Sequence, residues 1–378
     1  MKLIEDVPKK KVNAYERPQV APIEDFLKAR VMGQDHAMQT VSKEVTHVLS
    51  GLKIAQDGPR GSILMLGPSG VGKTATALAA VELLLSKSKV PEKLRNPNDF
   101  LLKINCGEYG DAAALWTLTG ARPGHVGSRG SASAGHGPYR PPALSTETLR
   151  KSTFELEDGQ EICVVLLDEI ERAHEIVRDF LLSALSEGYG KTGESETLDF
   201  RKVLFLFTSN IGNKEIREVK SALPAGTKKL PNGQADTIRR TALERTFRSE
   251  DIGRMCGSVA QAVVYEPLSA EVLEMILGKE FTSIENDFKR EGITVEFHLT
   301  IAAKDALLQG GVSDDHGARS LKQYIRSKVV QPLMHPSRAE NVAALNDRII
   351  YVSFPPETQE YVFEWADPRG FWDKLMSE

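Results

Sequence analysis

The chain has 378 residues, 41% hydrophobic and 26% charged, which is ordinary globular composition with length enough for two domains. A formal net charge of -4 and a pI near 6.1 give the chain no general field for nucleic acid or an anionic membrane. Its three cysteines, Cys106, Cys163 and Cys256, are far apart, with no C-x-x-C spacing. They supply neither a disulfide framework nor a zinc pattern, which fits a reducing compartment, and no run of about 18 apolar residues suggests a membrane span. The expectation is a cytoplasmic, soluble protein.

Residues 1–22, with Pro8, Pro18 and Pro22, read as a tether. From 23 to 267, apolar runs at 63–66, 100–104, 162–167, 203–207 and 262–265 alternate with helical patterns. Such alternation predicts a parallel sheet covered on both faces, a large α/β unit. After Pro267 the pattern becomes α-rich. It predicts a helix over 269–290, a short strand at 293–297, a helix capped by Thr300 and ended by Gly310-Gly311, and a helix over 318–330 stopped by Pro332. These make a small second domain, 268–346. The last segment, 347–378, reads as a hairpin of strands 348–352 and 360–364 with a tail, associated with that domain. Two loops rich in Gly, Ser and Pro interrupt the large unit, at 124–142 and 222–234.

The segment GPSGVGKT, 67–74, fills the phosphate-loop pattern G-x-x-x-x-G-K-[ST] between an apolar strand and a helix-forming run. Its glycines let the backbone of Pro68-Ser69-Gly70-Val71-Gly72 wrap a polyphosphate, with the N–H groups of 69–72 turned toward it. The following helix adds its positive end, Lys73 neutralises the outer phosphates, and Thr74 offers a hydroxyl to Mg²⁺. ATP is therefore the expected ligand. The apolar run 164–167 ends in Asp168-Glu169, at the sheet edge where open α/β sheets bind ligands. There Asp168 orients the magnesium or its waters, and Glu169 polarises water for attack on the γ-phosphate. The run 203–207 ends in Thr208-Ser209-Asn210. A strand-end Asn210 has one group to accept from the attacking water and another to donate to the phosphate.

The order VMGQDHAM (31–38), GPSGVGKT, ARPGHVG (121–127), VVLLDEIERAH (164–174), DFRKVLFLFTSN (199–210), TFRSEDIGRM (246–255), VVYEPLS (263–269) and HGARSLKQYI (316–325) resembles the AAA+ ATPases of the Clp group. The likeness is greatest to the second ATPase module of the ClpB and ClpA unfoldases and covers roughly 23–346. It implies a AAA+ P-loop three-layer sandwich with a parallel sheet, followed by a small α-helical lid, and an ATPase working as a ring, expected to be a hexamer. By the same resemblance Val31 and Met32 hold adenine, Lys73 and Thr74 are Walker A, Asp168 and Glu169 Walker B, and Asn210 sensor 1. Arg319 matches the sensor 2 arginine of the lid, and Arg254 the arginine finger that reaches a neighbouring subunit's nucleotide.

The chain departs from those relatives at the pore loop. Where the unfoldases carry an aromatic residue before valine, this sequence has His125-Val126 in Gly124-His125-Val126-Gly127, with Tyr139 in the extended loop as a substitute grip. No I/L-G-F/L tripeptide of the kind that docks Clp-type peptidases occurs between 210 and 254. The expected work is remodelling or disassembly of a protein partner through pore loops. The alternatives are a nucleic-acid-associated motor or loader, which the acidity of the chain disfavours, and an ATP-gated scaffold.

Overall fold

The computed structural model describes residues 20–51, 58–111, 113–122, 142–211, 243–244, 247–248, 252–253, 255, 262–313, 317–334 and 346–366. In chain order the elements begin with helices α1 (Val20–Arg30) and α2 (Asp35–Leu49), strand β1 (Gly61–Leu66), helices α3 (Lys73–Ser86) and α4 (Pro97–Phe100), and strand β2 (Leu101–Asn105). Helices α5 (Ala114–Thr119) and α6 (Thr146–Ser152), strands β3 (Thr153–Glu155) and β4 (Glu161–Asp168) and helix α7 (Glu175–Glu187) follow. Next come β5 (Tyr189–Lys191), β6 (Thr197–Asp199), β7 (Val203–Ser209) and β8 (Val263–Val264). Beyond Pro267 lie α8 (Ala270–Arg290), β9 (Val295–Leu299), α9 (Ile301–Gly311), α10 (Ala318–Ile325), β10 (Arg348–Ser353) and β11 (Val362–Ala366).

The main sheet runs β2-β4-β7-β1-β8, all parallel, with β3 antiparallel on β4. Its strands are apolar on both faces because both are covered. Cys163, Val165 and Leu167 of β4 join Leu64, Leu66, Phe205 and Phe207 in one core, with residues of α5 and α7. The alternate residues Ile162, Val164 and Leu166 join Ile63, Met65, Leu204 and Leu206 in a second, with α1, α2 and α3. The period of two along each strand thus divides the side chains between two helical layers, a three-layer sandwich.

A third core, built from α8, β9, α9, α10 and β10, holds Phe281, Phe288, Phe297, Leu307, Leu321, Ile325 and Ile350. Side-chain caps start two of its helices: Thr300 Oγ1, as expected, accepts from the Ala303 N–H, and Ser269, expected as the first helical residue, instead caps α8 with its Oγ accepting from the Val272 N–H. Strand β10 pairs in parallel with β9 and antiparallel with β11, so the C-terminal hairpin extends a sheet that begins between α8 and α9. One expectation fails. Helical structure does not stop before Pro332: α10 passes through a π turn at Arg326–Val330 into the short helix Gln331–Leu333. The wider turn lies just upstream of the proline, where its ring would otherwise meet the carbonyl of Lys328.

Candidate active site

Parallel pairing brings three strand ends to one edge. β7 lies between β1 and β4, with Leu66 opposite Ser209 and Leu167 opposite Phe207. The chain therefore leaves β1 into the phosphate loop, β4 into Asp168-Glu169 and β7 into Asn210 at neighbouring points. The loop needs its glycines: φ is 137° at Gly67, 74° at Gly70 and 113° at Gly72. A Cβ on Gly67 would also lie 2.5 Å from the Tyr265 carbonyl oxygen.

Lys73, only 7% exposed, donates from Nζ to the carbonyl oxygens of Gly67 at 2.5 Å and Pro68 at 2.7 Å, and to Asn210 Oδ1 at 2.9 Å. Asn210 Nδ2 donates in turn to Glu169 Oε1 at 3.2 Å. A chain of polar contacts thus joins all three strand ends. Burial lowers the Lys73 pKa to about 8, against the opposing pull of Glu171, Asp168 and Glu169. Burial works to raise the pKa of Asp168, but bonds from Lys103 and Thr208 outweigh it and hold this carboxyl below its ordinary value. Lys103 Nζ lies 2.8 Å from Oδ2, and Thr208 Oγ1 donates to Oδ1 at 2.5 Å while accepting from the Glu169 N–H at 2.9 Å.

A cleft of about 620 Å³ opens over this edge, lined by Val31, Met32, residues 69–74, Asp168, Glu169, Asn210 and Arg319 among others. Pro68 is buried behind it and takes part through its carbonyl. The far wall comes from α8 and α10, including Ile276, Glu280 and Lys322. Gly317 closes the approach: the Ala318 N–H donates to the Gly70 carbonyl at 3.2 Å, and a Cβ on Gly317 would sit 3.0 Å from the Ser69 oxygen. Arg254, His125, Val126 and Tyr139 lie outside the described residues.

Sequence reasoning passed over four contributors. Glu171 Oε1 accepts from the Asn210 N–H at 3.0 Å and anchors the end of β7, while its Oε2 is buried without a hydrogen-bond partner. Lys103 holds Asp168, and Arg172 reaches Glu169. Gln34, 3% exposed, donates to the carbonyls of Val71 and Glu266 and accepts from the Glu266 N–H. Gln34 lies within the quoted VMGQDHAM motif and Glu171 and Arg172 within VVLLDEIERAH, whereas Lys103 left no trace.

Two family models match the chain, an AAA domain (Cdc48 subfamily) over residues 150–256 and the C-terminal, D2-small domain of ClpB protein over 268–350. This chain is a AAA+ ATPase of the Clp type. The Clp-type assignment accords with curated relatives. The chaperone protein ClpB of Enterococcus faecalis is 29% identical over 359 residues, covering 93% of this chain and 37% of its own length. The ATP-dependent Clp protease ATP-binding subunit ClpC of Staphylococcus aureus is 30% identical over 327 residues, covering 85% and 35%. The AAA+ chain thus spans about a third of the length of the curated relatives it matches. Among solved structures, Hsp104 in a closed state with ATPγS and FITC casein superposes with a TM-score of 0.69 at 25% identity, covering 94% of this chain and 53% of that one. The extended Saccharomyces cerevisiae Hsp104:casein complex, at 24% identity and a TM-score of 0.71, matches in fold.

The residues fit the nucleotide this family binds. A buried lysine whose ammonium rests on carbonyl oxygens, with a depressed pKa, is a cation that gains from an incoming phosphate. The hydroxyl of Thr74 and the carboxylate of Asp168 line the same cleft and are the hard oxygen donors that Mg²⁺ prefers.

Proposed function

We propose that the cleft binds ATP with Mg²⁺ and that the residues joined by the Lys73–Asn210–Glu169 contacts carry hydrolysis. This chain of contacts is the observation that supports the reading most, because it links an ammonium, an amide and a carboxylate at the edge where the phosphate loop begins. The backbone N–H groups of 69–73 and the start of α3 receive the phosphates. Lys73 exchanges its carbonyl partners for phosphate oxygens. Thr74 and Asp168 hold the magnesium, which when bound neutralises charge developing on the phosphate oxygens. Asn210 orients the water; Glu169 takes its proton as the water oxygen bonds to the γ-phosphorus and the bridging P–O bond breaks, yielding ADP and phosphate. Val31 and Met32 pack on adenine, and Arg319 on α10 reaches the γ-phosphate from the lid. The domain division at 267 and 346 belongs to the same reading, with 268–346 as the lid.

The work done with this energy is remodelling or disassembly of a protein partner, in the cytoplasm, by a hexameric ring. The support is the likeness to ClpB and to Hsp104 captured with casein. Arg254 is proposed to act in the neighbouring subunit's site, and His125, Val126 and Tyr139 to touch the partner. The test is chemical. Lys73→Ala should weaken ATP binding, whereas Glu169→Gln should bind and assemble normally but lose turnover by ~10²–10⁴-fold. Near-normal steady-state hydrolysis by Glu169→Gln would sink the assignment. Stimulation of the wild-type ATPase by unfolded protein, and not by DNA, is the matching result for the partner class.

A further inference from the structure

Helix α8 turns Ile276, Lys279, Glu280 and Ser283 to the cleft, and α10 with the start of its π turn presents Arg319, Lys322, Gln323 and Arg326. Each set has the i, i+3, i+4, i+7 spacing of a single helix face. The cations on this wall are already engaged. Lys279 Nζ donates to the Arg30 carbonyl at 3.2 Å, Arg30 holds Glu82 through two nitrogens at 2.7 and 3.2 Å, and Lys322 Nζ lies 2.8 Å from Glu280 Oε2. Glu280 is the exception. Its side chain is only 5% exposed, yet Oε1 has no hydrogen-bond donor among the described residues; Arg326 Nε stands 3.8 Å from it, an ion pair without a hydrogen bond. A carboxylate oxygen offers lone pairs alone, so the group that completes it is a donor.

Glu280 also stands between the two ends of the cleft. On one side its neighbour Lys279 is tied to the Arg30 carbonyl, next to Val31 and Met32, the residues read as holding the base. On the other, its partner Lys322 lies one turn along α10 from Arg319, and α10 begins at Ala318, whose N–H donates to the Gly70 carbonyl of the phosphate loop. Between base and phosphates a nucleotide carries its sugar. We propose that Glu280 is a specificity-determining residue whose carboxylate accepts from the vicinal hydroxyls of the ribose and selects ribonucleotides over deoxyribonucleotides. The inference rests on the reading of the cleft as a site for ATP. Lys322 and Arg326 hold the carboxylate from α10, so a ribose hydroxyl meets an acceptor already in place and little is lost to ordering it. A phosphate on the sugar is the disfavoured occupant, because the nearby cations are occupied by Glu280, Glu82 and the Arg30 carbonyl, and the open carboxylate oxygen repels it. An analogue without the hydroxyl leaves a buried acceptor unpaired, which is what makes such selection strong.

The test is equilibrium binding of ATP, 2′-deoxy-ATP and 3′-deoxy-ATP to the full chain with Mg²⁺. ATP should bind ~10–100-fold more tightly than at least one of the deoxy analogues, the range for a hydrogen bond to a charged group. Glu280→Ala should remove most of that preference, by weakening ATP more than the analogue. Glu280→Gln, which keeps one acceptor oxygen, should retain part of it and serves if the alanine form fails to fold. Equal binding of all three nucleotides by the wild-type chain overturns the ribose contact and leaves the ATP reading standing, whereas failure to bind ATP overturns both. A Glu280→Ala chain that binds all three more weakly by one common factor also overturns the contact, since loss of a structural support between α8 and α10 acts in that way.

Discussion

Lys73 enters the fold as a cation without a carboxylate in direct contact, resting on two carbonyls and an amide. Its pKa near 8 puts it within reach of titration, and a bound triphosphate favours the charged form. The sign follows: a group whose pKa is about 8 when free and higher when bound gains protons on binding between those values. Nucleotide affinity should therefore be flat below about pH 7 and fall as pH rises through 8. At pH 8 binding should take up part of a proton, measurable by calorimetry in buffers of different ionisation enthalpy. Lys73→Arg, always charged, should abolish the uptake even where affinity drops. Cys106, close behind the same acids, is the contrasting case: burial pushes its thiol up to about 12, so it stays neutral and inert.

Among elements, the β5–β6 hairpin is the one whose role depends most on a single close approach. Gly190 lies between the rings of Phe180 and Phe200, and the Gly193 N–H donates to the Thr119 carbonyl at 3.3 Å. A Cβ on Gly193 would sit 1.9 Å from the Gly120 carbonyl oxygen. The hairpin turn thus rests against the end of α5, beside Gly120 and Ala121. Opposite, Thr146 donates to Glu196, and the Leu144 N–H donates to the Leu118 carbonyl. Gly193→Ala cannot keep that contact and should destabilise the protein by ~1–3 kcal/mol in chemical denaturation. Nucleotide affinity should stay near wild type, because Gly193 lies away from the cleft. The pattern gave no warning of this hairpin: two three-residue strands around a polar, glycine-containing turn carry too little alternation to register as a pair.

In the whole molecule, Gln34 ties together segments far apart in sequence. Its side chain reaches Val71 in the phosphate loop and both backbone groups of Glu266, at the passage from the large sheet into α8. Lys279 Nζ of α8 reaches back to the carbonyl of Arg30, and Val272 packs over Gly33. The turn before α2 is therefore a seat for both the loop and the lid region. Gln34→Ala strands buried partners and should cost about 2 kcal/mol of stability. It should also weaken nucleotide binding, where a purely structural surface site would not. Paired denaturation and binding titrations separate the two effects.

The sequence alone determined the phosphate loop, the strands that deliver Asp168, Glu169 and Asn210, the Thr300 cap and the change of character after Pro267. These are local: a glycine spacing, an apolar run with its terminal polar residues, or a hydroxyl three residues before an N–H writes itself in consecutive letters. Tertiary structure decided the rest. Lys103 meets Asp168 because β2 pairs with β4, Glu171 anchors Asn210 because β7 lies beside β4, and Gln34 joins Val71 to Glu266 across the chain. Pro332 failed as a stop because the π turn upstream, stabilised within the α10 packing, absorbs the ring that an isolated helix could not. A polar side chain's partner is set by strand order and register, and those are properties of the assembled sheet, which no short stretch of sequence contains.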